Sequence, residues 1–428
     1  MLLGCIADDF TGATDLANML VRGGMRTVLV IDVPDESASA NTASIDADAV
    51  VIALKSRTIP PAQAIEQSLA ALRWLQRADA RQYFFKYCST FDSTDAGNIG
   101  PVADALMRAL DCPFSIACPA FPENGRSIFR GYLFVGDVLL NESGMEKHPL
   151  TPMTDANLVR VLQRQTSRKV GLARFDAVAG GVAALRARFD ALRGEGVELA
   201  IVDALSDADL YSIGAACVDL LLLTGGSGVA LGLPRNFAAQ GLLAHPGLAA
   251  ALPRIAGPAA VISGSCSKAT NAQVAHWRAS RPAFRIDALA LHDGKPVVAD
   301  AMNWAREHIA AGPILVYATS APEEVAAVQA RLGVAAAGAL VEHALAAIAR
   351  ELVAGGVRKL VIAGGETSGA VVQALRLQRL QVGPQIDPGV PWMVAQSDPP
   401  LAVALKSGNF GGIDFFAKAL AQIESAGA

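Results

Sequence analysis

The chain has 428 residues, of which 52% are hydrophobic and 18% charged, and 36 basic against 40 acidic residues give a net charge of −4. This length is typical of two or three domains, and this composition argues against a disordered protein. The near balance of charge argues against the basic surface of a nucleic-acid-binding protein and against a polybasic membrane-binding segment.

The sequence pattern carries no membrane or targeting signal. The longest apolar runs, such as 218–223, are far shorter than the ~20 residues of a membrane-spanning helix, and the N-terminal residues lack the basic start of a signal peptide. The six cysteines are scattered without a Cys-x-x-Cys pair, and the six histidines show no metal-ligand spacing. We therefore expect a cytoplasmic protein with reduced thiols and no membrane partner.

In chain order, short apolar runs typical of β-strands alternate with amphipathic helical patterns. Strands are predicted at 2–7, 27–31, 49–54, 83–87, 114–118, 199–204 and 218–223. Helices are predicted at 15–24, which ends in a Gly-Gly signal, and at 64–77. Continuous apolar strands between helices predict a mostly parallel sheet flanked by helices.

A second α/β pattern follows a proline-containing linker, which is predicted at 241–257. Its strands are predicted at 259–263, 314–318, 359–363 and 401–405, with helices at 322–332 and 338–354 between them. We therefore predict an α/β protein of two domains, 1–240 and 258–428, each a mostly parallel sheet flanked by helices. Residues 130–155 lack clean periodicity, and a stretch of that length within a compact domain is often functional.

Polar side chains follow four strands of the first domain, at the carboxyl edge where open α/β sheets bind ligands. They are Asp8, Asp9 and Thr11; Lys55, Ser56 and Arg57; Lys86, Asp92, Ser93, Thr94 and Asn98; and Arg126. The cations suit an acidic small ligand, and the carboxylates suit its hydroxyls or a proton. Each group also has a structural interpretation. Asp8, Asp9 or Thr11 could cap a helix at 13–22, the basic residues could form surface ion pairs, and DSTDAGN at 92–98 could be a polar turn.

Three strands of the second domain each run into a glycine-rich turn and then a helix. These turns begin at 264, 364 and 406. Glycine lets a backbone approach a phosphate closely, and free N–H groups at a helix start bind anions, so three such turns favour nucleotide binding. Tight connections between strands and helices also contain glycine, which is the structural alternative. The Walker A pattern is absent, and GGSGVALG at 225–232 does not meet the G-x-G-x-x-G spacing of a nicotinamide-dependent dehydrogenase.

Six ordered motifs together resemble the four-carbon acid sugar kinase family, and the resemblance runs from end to end, with its 3-oxo-tetronate branch as the nearest. The motifs are IADDFTGATD at 6–15, LKSR at 54–57, KYCSTFDSTDAGNIGP at 86–101, SGSCS at 263–267, AGGETSG at 363–369 and LKSGNFGGIDFF at 405–416. One departure exists: Ala96-Gly97-Asn98 stands where related sequences often have Arg-Gly-Asn. We interpret it as a subgroup difference that affects substrate choice.

The resemblance implies a sugar-acid-binding domain at 1–240, an ATP-binding domain at 258–428 and an active site in the cleft between them. It implies ATP-dependent phosphorylation of the C4 hydroxyl of 3-oxo-tetronate, with D-threonate or D-erythronate as alternative substrates. By motif, the sugar acid would contact Asp8, Asp9, Arg57, Asp92, Ser93 and Thr94, with Lys86 and Arg126 as further candidates for its carboxylate. ATP would contact Ser263, Gly364, Gly365, Glu366, Thr367, Ser368, Gly408 and Asn409.

For the transfer step we expect Asp9 to accept the hydroxyl proton, with Asp8 as the alternative. Mg²⁺ would bridge the ATP phosphates with few protein ligands, and the sequence leaves its ligand open between Asp92 and Glu366. A sugar-acid sensor without turnover and a dehydrogenase are the competing functions. A homodimer is left open.

Overall fold

The computed structural model describes residues 1–34, 45–148, 150–243 and 245–425. Contacts divide the chain into two units, Met1–Ala250 and Ala251–Ala428, with the boundary inside the stretch predicted as a linker. Both units alternate strands with helices, so the predicted α/β class is confirmed.

The elements of the N-terminal unit begin with the first predicted strand. Its strands are β1 (Leu3–Ala7), β2 (Thr27–Ile31), β3 (Ala49–Ala53), β4 (Gln82–Lys86), β5 (Ser115–Cys118), β6 (Arg126–Phe129), β7 (Tyr132–Val135), β8 (Val138–Leu139), β9 (Val170–Ala173), β10 (Leu199–Val202) and β11 (Leu222–Gly225). Its helices are α1 (Phe10–Arg22), α2 (Pro61–Arg77), α3 (Ile99–Ala109), α4 (Leu158–Gln163), α5 (Phe175–Ala179), α6 (Gly181–Gly194), α7 (Asp207–Ala216) and α8 (Leu233–Ala239).

The main sheet of this unit is parallel, in the order β2-β3-β1-β4-β11-β5-β10-β9. Strand β1 lies between β3 and β4, and all five of its residues are buried, which explains its unbroken apolar sequence. Ala7 is in register with Ala53 and with Lys86. The three strands therefore end side by side, and the residues that follow them meet at one edge of the sheet.

A second, antiparallel sheet of β6, β7 and β8 occupies part of the segment that the sequence left without a pattern. Short 3-10 turns follow at 140–142 and 145–147. The strands are two to four residues long and only partly buried, so their side chains do not alternate cleanly between apolar and polar.

Three predicted starts in this unit were wrong by three residues or more. The strand predicted at 218–223 is β11, which begins only at Leu222, because the preceding residues form a turn after α7 in which Leu220 N–H bonds the Cys217 carbonyl. The helix predicted at 15–24, or at 13–22 in the capping interpretation, begins at Phe10, because Asp9 is its N-cap. The helix predicted at 64–77 begins at Pro61. Strand β9 was not predicted, because VGLA is too short to show a period.

The C-terminal unit has one sheet whose elements were predicted in part. Its strands are β12 (Ala259–Ser263), β13 (Ala283–Arg285), β14 (Ile314–Tyr317), β15 (Lys359–Ala363), β16 (Arg379–Asp387), β17 (Val390–Ala395) and β18 (Leu401–Lys406). Its helices are α9 (Lys268–Arg278), α10 (Ala288–His292), α11 (Val297–His308), α12 (Pro322–Leu332), α13 (Val334–Ala354), α14 (Gly365–Ala374) and α15 (Phe415–Ser425).

The sheet of the C-terminal unit has the order β13-β14-β12-β15-β18-β17-β16 and is parallel from β13 to β18. Strands β16 and β17 form an antiparallel hairpin beside β18, a feature that the sequence analysis missed. Trp392 of this hairpin is fully buried, and its Nε1 donates to the Ala419 carbonyl at 2.9 Å, which fixes α15 on the sheet. The three strands that precede the glycine-rich turns, β12, β15 and β18, are direct neighbours.

Across the residues that the structure describes, no single helix is long and apolar enough to cross a membrane. Only the pair Glu323–Leu332 and Val334–Ala354, bent by 106° at their junction, meets that length and composition together.

Candidate active site

Two adjacent carboxylates follow β1 at the carboxyl edge of the N-terminal sheet. Asp8 is buried, with 7% of its side chain exposed, whereas 25% of the Asp9 side chain is exposed. Asp9 caps α1, since its Oδ1 accepts from the Gly12 N–H at 3.1 Å and its Oδ2 accepts from the Thr11 hydroxyl at 2.8 Å. The capping interpretation is therefore correct for Asp9, but capping leaves room for further contacts on both oxygens.

Arg57 joins both carboxylates. Its Nε and Nη2 donate to the two oxygens of Asp8 at 2.9 and 2.7 Å, and Nη2 also donates to Asp9 Oδ1 at 2.6 Å. Its remaining amino group, Nη1, lies 3.9 Å from Asp92 Oδ2. Most of the guanidinium is thus committed to holding the aspartates, and Nη1 is the group turned towards the run of residues at 92–94.

Asn98, one of the polar residues predicted to lie at this edge of the sheet, holds the Arg57 loop in place. Its Nδ2 donates to the carbonyls of Ser56, Arg57 and Ile59 at 2.8, 3.2 and 2.8 Å. The N–H groups of Ser56 and Arg57 in turn donate to the Asp8 carbonyl. This backbone network fixes the position of the guanidinium, because the loop that carries it is tied to both β1 and the start of α3.

Lys86 is the last residue of β4 and is only 4% exposed. Its Nζ lies 3.7 Å from Asp9 Oδ1. Gly12 makes this approach possible, since a Cβ at position 12 would lie 2.0 Å from Lys86 Nζ and 2.2 Å from Asp9 Oδ1. Two cations therefore converge on Asp9.

The two aspartates differ in their pKa. Burial raises the pKa of Asp8, and the opposing attraction of Arg57 does not cancel that effect. Burial acts on Asp9 in the same direction, but Arg57 and Lys86 together with the Thr11 and Gly12 hydrogen bonds lower its pKa to about 2. Asp9 is therefore ionised throughout the neutral range, and its charge is balanced within the site.

The run at 92–94 is held by the segments on either side of it. Asp92 Oδ1 accepts from the Thr90 hydroxyl at 2.6 Å, Ser93 N–H contacts Met153 Sδ at 3.4 Å, and the Thr94 carbonyl accepts from Gln165 Nε2 at 2.8 Å. Ser93 Oγ is buried without a hydrogen-bond partner among the described residues. This oxygen lies against Gly97, where a Cβ would be 1.8 Å from it, so contact of the Ser93 side chain with the sugar acid stays a prediction.

Not every predicted residue of this site joins the cluster. Arg126 Nη1 donates to the Asn124 carbonyl, and among the described residues no ion pair links it to the aspartates. Its role in binding the carboxylate stays a prediction.

Asp15 and Ser227 form a buried pair that the sequence analysis missed. Asp15 is 8% exposed, its Oδ2 accepts from the Ser227 hydroxyl, and its Oδ1 has no partner among the described residues. Burial raises the pKa of Asp15 to about 6, against the lowering effect of Lys86 and Ser227. No local pattern in the sequence indicates this pair, because 212 residues separate the two partners.

In the C-terminal unit, the three glycine-rich turns lie side by side because their strands are neighbours. Ser263 is in register with Ala363, and Ala363 with Lys406. Ser263 is fully buried, with its hydroxyl 2.7 Å from that of Thr319. Helix α14 begins at Gly365, so Gly365, Glu366, Thr367 and Ser368 form its first turn rather than a loop.

A cavity of about 330 Å³ opens between the turns that begin at 264 and 364 and the helices α12 and α13. Its polar end is formed by Gly264, Ser265, Gly364 and Thr367, and its apolar walls include Val325, Val328 and Val341. Gly364 has a φ of +128°, and a Cβ at Gly264 would lie 2.3 Å from Thr367 Oγ1. Glycine at these two positions therefore lets both turns pack closely against Thr367 at the start of α14.

No group of three or more His, Cys, Asp or Glu side chains within the described residues could hold a metal ion. A cation at either site would consequently depend on oxygens of a bound ligand and on water.

Comparison with known proteins covers both units. Residues 3–233 match the family described as a sugar-binding N-terminal domain, and residues 260–416 match that described as a nucleotide-binding C-terminal domain. A Burkholderia multivorans protein named 3-oxo-tetronate kinase is 67% identical over 99% of this chain and 98% of its own length. A Cupriavidus necator protein of the same name is 64% identical over 99% of this chain and 97% of its own. A solved structure of a Salmonella typhimurium protein is also similar, with 44% sequence identity and a TM-score of 0.91. The match covers 98% of this chain and 99% of the Salmonella chain.

Gly12→Ala should destabilise the N-terminal unit, because its Cβ would collide with Lys86 Nζ and Asp9 Oδ1. We expect the free energy of unfolding to fall by about 1–3 kcal/mol, measured by urea denaturation. Gly194→Ala in α6 is the matched control, since a Cβ there meets nothing within 4 Å. An equal loss of unfolding free energy in both variants would show that the close approach of Lys86 Nζ to Gly12 does not require glycine.

Asp15→Asn should stabilise the protein at alkaline pH. Because the folded pKa of Asp15, about 6, exceeds its value in the unfolded chain, ionisation costs stability as the pH rises from ~4 through 6, and the loss levels off above that. The gain over the unmodified chain should grow by about 1–2 kcal/mol between pH 5 and pH 8. Denaturation at both pH values measures it, with the exposed Asp190→Asn as control; a gain that is constant with pH would contradict the raised pKa.

Proposed function

Because the chain belongs to the four-carbon acid sugar kinase family, we propose that it transfers the γ-phosphoryl group of ATP to the C4 hydroxyl of 3-oxo-tetronate. The observation that carries this proposal is the 67% identity, over 99% of the chain, to a relative named 3-oxo-tetronate kinase. That name favours 3-oxo-tetronate over D-threonate or D-erythronate, which the sequence left open. The geometry of both units is consistent with it.

The cluster of the N-terminal unit suits a small hydroxylated anion. Arg57 Nη1 and Lys86 Nζ supply positive charge for the substrate carboxylate, and both lie beside carboxylates that can accept hydroxyl protons. The unpartnered Ser93 hydroxyl supplies a further neutral hydrogen bond. Cations, carboxylates and a hydroxyl at one sheet edge are the groups that a sugar acid requires.

Asp9 is the better candidate for the group that accepts the C4 hydroxyl proton. Its side chain is 25% exposed, whereas Asp8 is 7% exposed and has both oxygens paired with Arg57. A pKa of about 2 makes Asp9 a weak base. A weak base is sufficient when the transferring phosphoryl group carries most of the charge and the proton leaves late.

The cavity of the C-terminal unit suits a nucleotide. Its volume of about 330 Å³ and its valine-lined walls fit a purine base and ribose, and the N-terminus of α14, where we propose that the phosphates bind, lies at its glycine-rich end. Ser263 directly precedes the turn at this end. Gly408 lies close to Ser265, which lines the cavity, since a Cβ at Gly408 would be 2.6 Å from Ser265 Oγ. These residues, with 364–368 and Asn409, are those that we propose to hold ATP.

Mg²⁺ would neutralise the ATP phosphates and keep most of its water ligands, which fits a chain whose described residues offer no cluster of metal-binding side chains. Asp92 and Glu366 remain the two carboxylates proposed to reach it.

A coupled ADP-release assay over a panel of four-carbon sugar acids tests the proposal. We expect ADP release that depends on 3-oxo-tetronate, with lower kcat/KM for D-threonate and D-erythronate. Binding of the sugar acid without ADP release would indicate a sensor instead.

Asp9→Asn should lower kcat by ~10²-fold or more, because the hydroxyl loses its proton acceptor. Asparagine is a good helix cap, so the fold should persist, and the apparent affinity for ATP should remain nearly unchanged. Asp190→Asn, the same change at an exposed side chain of α6, is the control. A kcat within a few-fold of the unmodified enzyme would remove Asp9 from this role.

Val341→Trp should raise the KM for ATP by tenfold or more, since the indole would fill the apolar part of the cavity. The KM for the sugar acid should not change. Val334→Trp, on the same helix but 68% exposed, is the matched control. Equal KM values for ATP in the two variants would place the nucleotide elsewhere.

A further inference from the structure

Lys406 is a fully buried cation at the carboxyl end of β18. Its Nζ donates to the Thr270 hydroxyl at 3.0 Å and to the carbonyls of Ser407 and Gly408 at 2.9 and 3.0 Å. No carboxylate of the described residues pairs with it. A lysine buried in this way is unusual, because an uncompensated charge in the interior is costly.

The Gly408 carbonyl is the centre of the network around this lysine. Besides Lys406, it accepts from the hydroxyls of Ser267 at 2.6 Å and Thr270 at 2.8 Å. Thr270 is itself fully buried. Three donors therefore turn this carbonyl towards the interior of the unit.

The orientation of the carbonyl determines the direction of the next N–H. In a trans peptide the C=O and the following N–H point in opposite directions, so the Asn409 N–H points out of the interior. Within the described residues, neither the Gly408 N–H nor the Asn409 N–H has a hydrogen-bond acceptor. A Cβ at Gly408 would lie 2.6 Å from Ser265 Oγ, and Ser265 lines the cavity proposed for the nucleotide.

We infer that Lys406 is a positioning residue for nucleotide binding. It holds the Gly408 carbonyl towards the interior, so that the N–H groups of Gly408 and Asn409 are presented to the triphosphate. Its positive charge faces that anion from the other side of the loop. The inference rests on the proposed use of ATP. All three N–H bonds of Lys406 are used within the protein, so it acts through the loop and not by touching a phosphate. This distinguishes it from the lysine of a Walker A loop.

The charge of Lys406 should respond to the nucleotide. Burial lowers the pKa of Lys406 to about 8, and burial is the whole cause. The groups that face its ammonium are Thr270 of α9 and the Ser407 and Gly408 carbonyls, none of which titrates. A polyanion on the far side of the loop favours the protonated form, so ATP binding raises this pKa and takes up a proton.

The experiment measures ATP binding to the full chain, without sugar acid, by calorimetry in buffers of different ionisation enthalpy. With a pKa of about 8, we expect uptake of up to about 0.5 proton at pH 8 and about 0.1 at pH 7. Lys406→Met should abolish this uptake and raise the KM for ATP by about tenfold or more, leaving the KM for the sugar acid unchanged. The matched control is Lys359→Met, because Lys359 is a buried lysine at the opposite end of neighbouring β15.

A hydroxyl series tests the same network without removing the charge. Thr270→Val should raise the KM for ATP, and Thr270→Ser should restore it, since only the hydroxyl bonds Gly408 and Lys406. If Lys406→Met does not fold, the comparison of Thr270→Val with Thr270→Ser tests the inference on its own.

Three results would overturn the inference: a KM for ATP within twofold of the unmodified enzyme in Lys406→Met, the same proton uptake in that variant, or equal KM values for Thr270→Val and the unmodified enzyme. Proton-coupled ATP binding without ADP release on any sugar acid would instead refute the proposed kinase activity and leave the inference standing.

Discussion

The N-terminal site depends on one buried ion-pair network, in which Arg57 bridges Asp8 and Asp9. Two neighbouring carboxylates at the end of a buried strand would repel each other and resist ionisation, so a cation between them is required for both to remain charged. Breaking such a buried pair typically costs about 3–5 kcal/mol, because it leaves an unpaired charge behind. The same guanidinium is proposed to bind substrate, so its structural and functional roles cannot be separated by removing it.

The two units offer different groups to a bound anion. The N-terminal unit has side-chain charges, which Asn98 and Gly12 hold close together at the sheet edge. In the C-terminal unit, the glycine-rich turns and the start of α14 are the proposed contacts for phosphates, and the charge of Lys406 lies beside them. Side-chain forks match the carboxylate of a small acid, whereas peptide N–H groups can follow a longer chain of phosphates. This division is consistent with the sugar-binding and nucleotide-binding descriptions of the matching families.

Much of the fold could be predicted because most buried parallel strands are continuous apolar runs, and β1, β3, β12 and β15 lie where the sequence indicated them. Strand β16 and the small sheet of β6 to β8 could not be predicted from periodicity, since these strands are irregularly buried. Strand β17 is fully buried, and its apolar run was a signal that the sequence analysis missed. Within the site, Asp8, Asp9, Arg57, Lys86 and Asp92 could be predicted from their places after strands. Asp15 and Ser227 could not, because 212 residues separate the two partners.

The sequence by itself determined the α/β class, the polar residues after each strand and the glycine-rich turns, because strand and turn signals are local. Only the tertiary structure decided which of these residues meet. In the folded chain, Arg57 donates to both aspartates, Lys86 lies close to Gly12, and the Gly408 carbonyl accepts from Lys406. The physical reason is that register and packing bring together residues that are far apart in the chain, and charge, burial and hydrogen bonding take their values only after those distances are set.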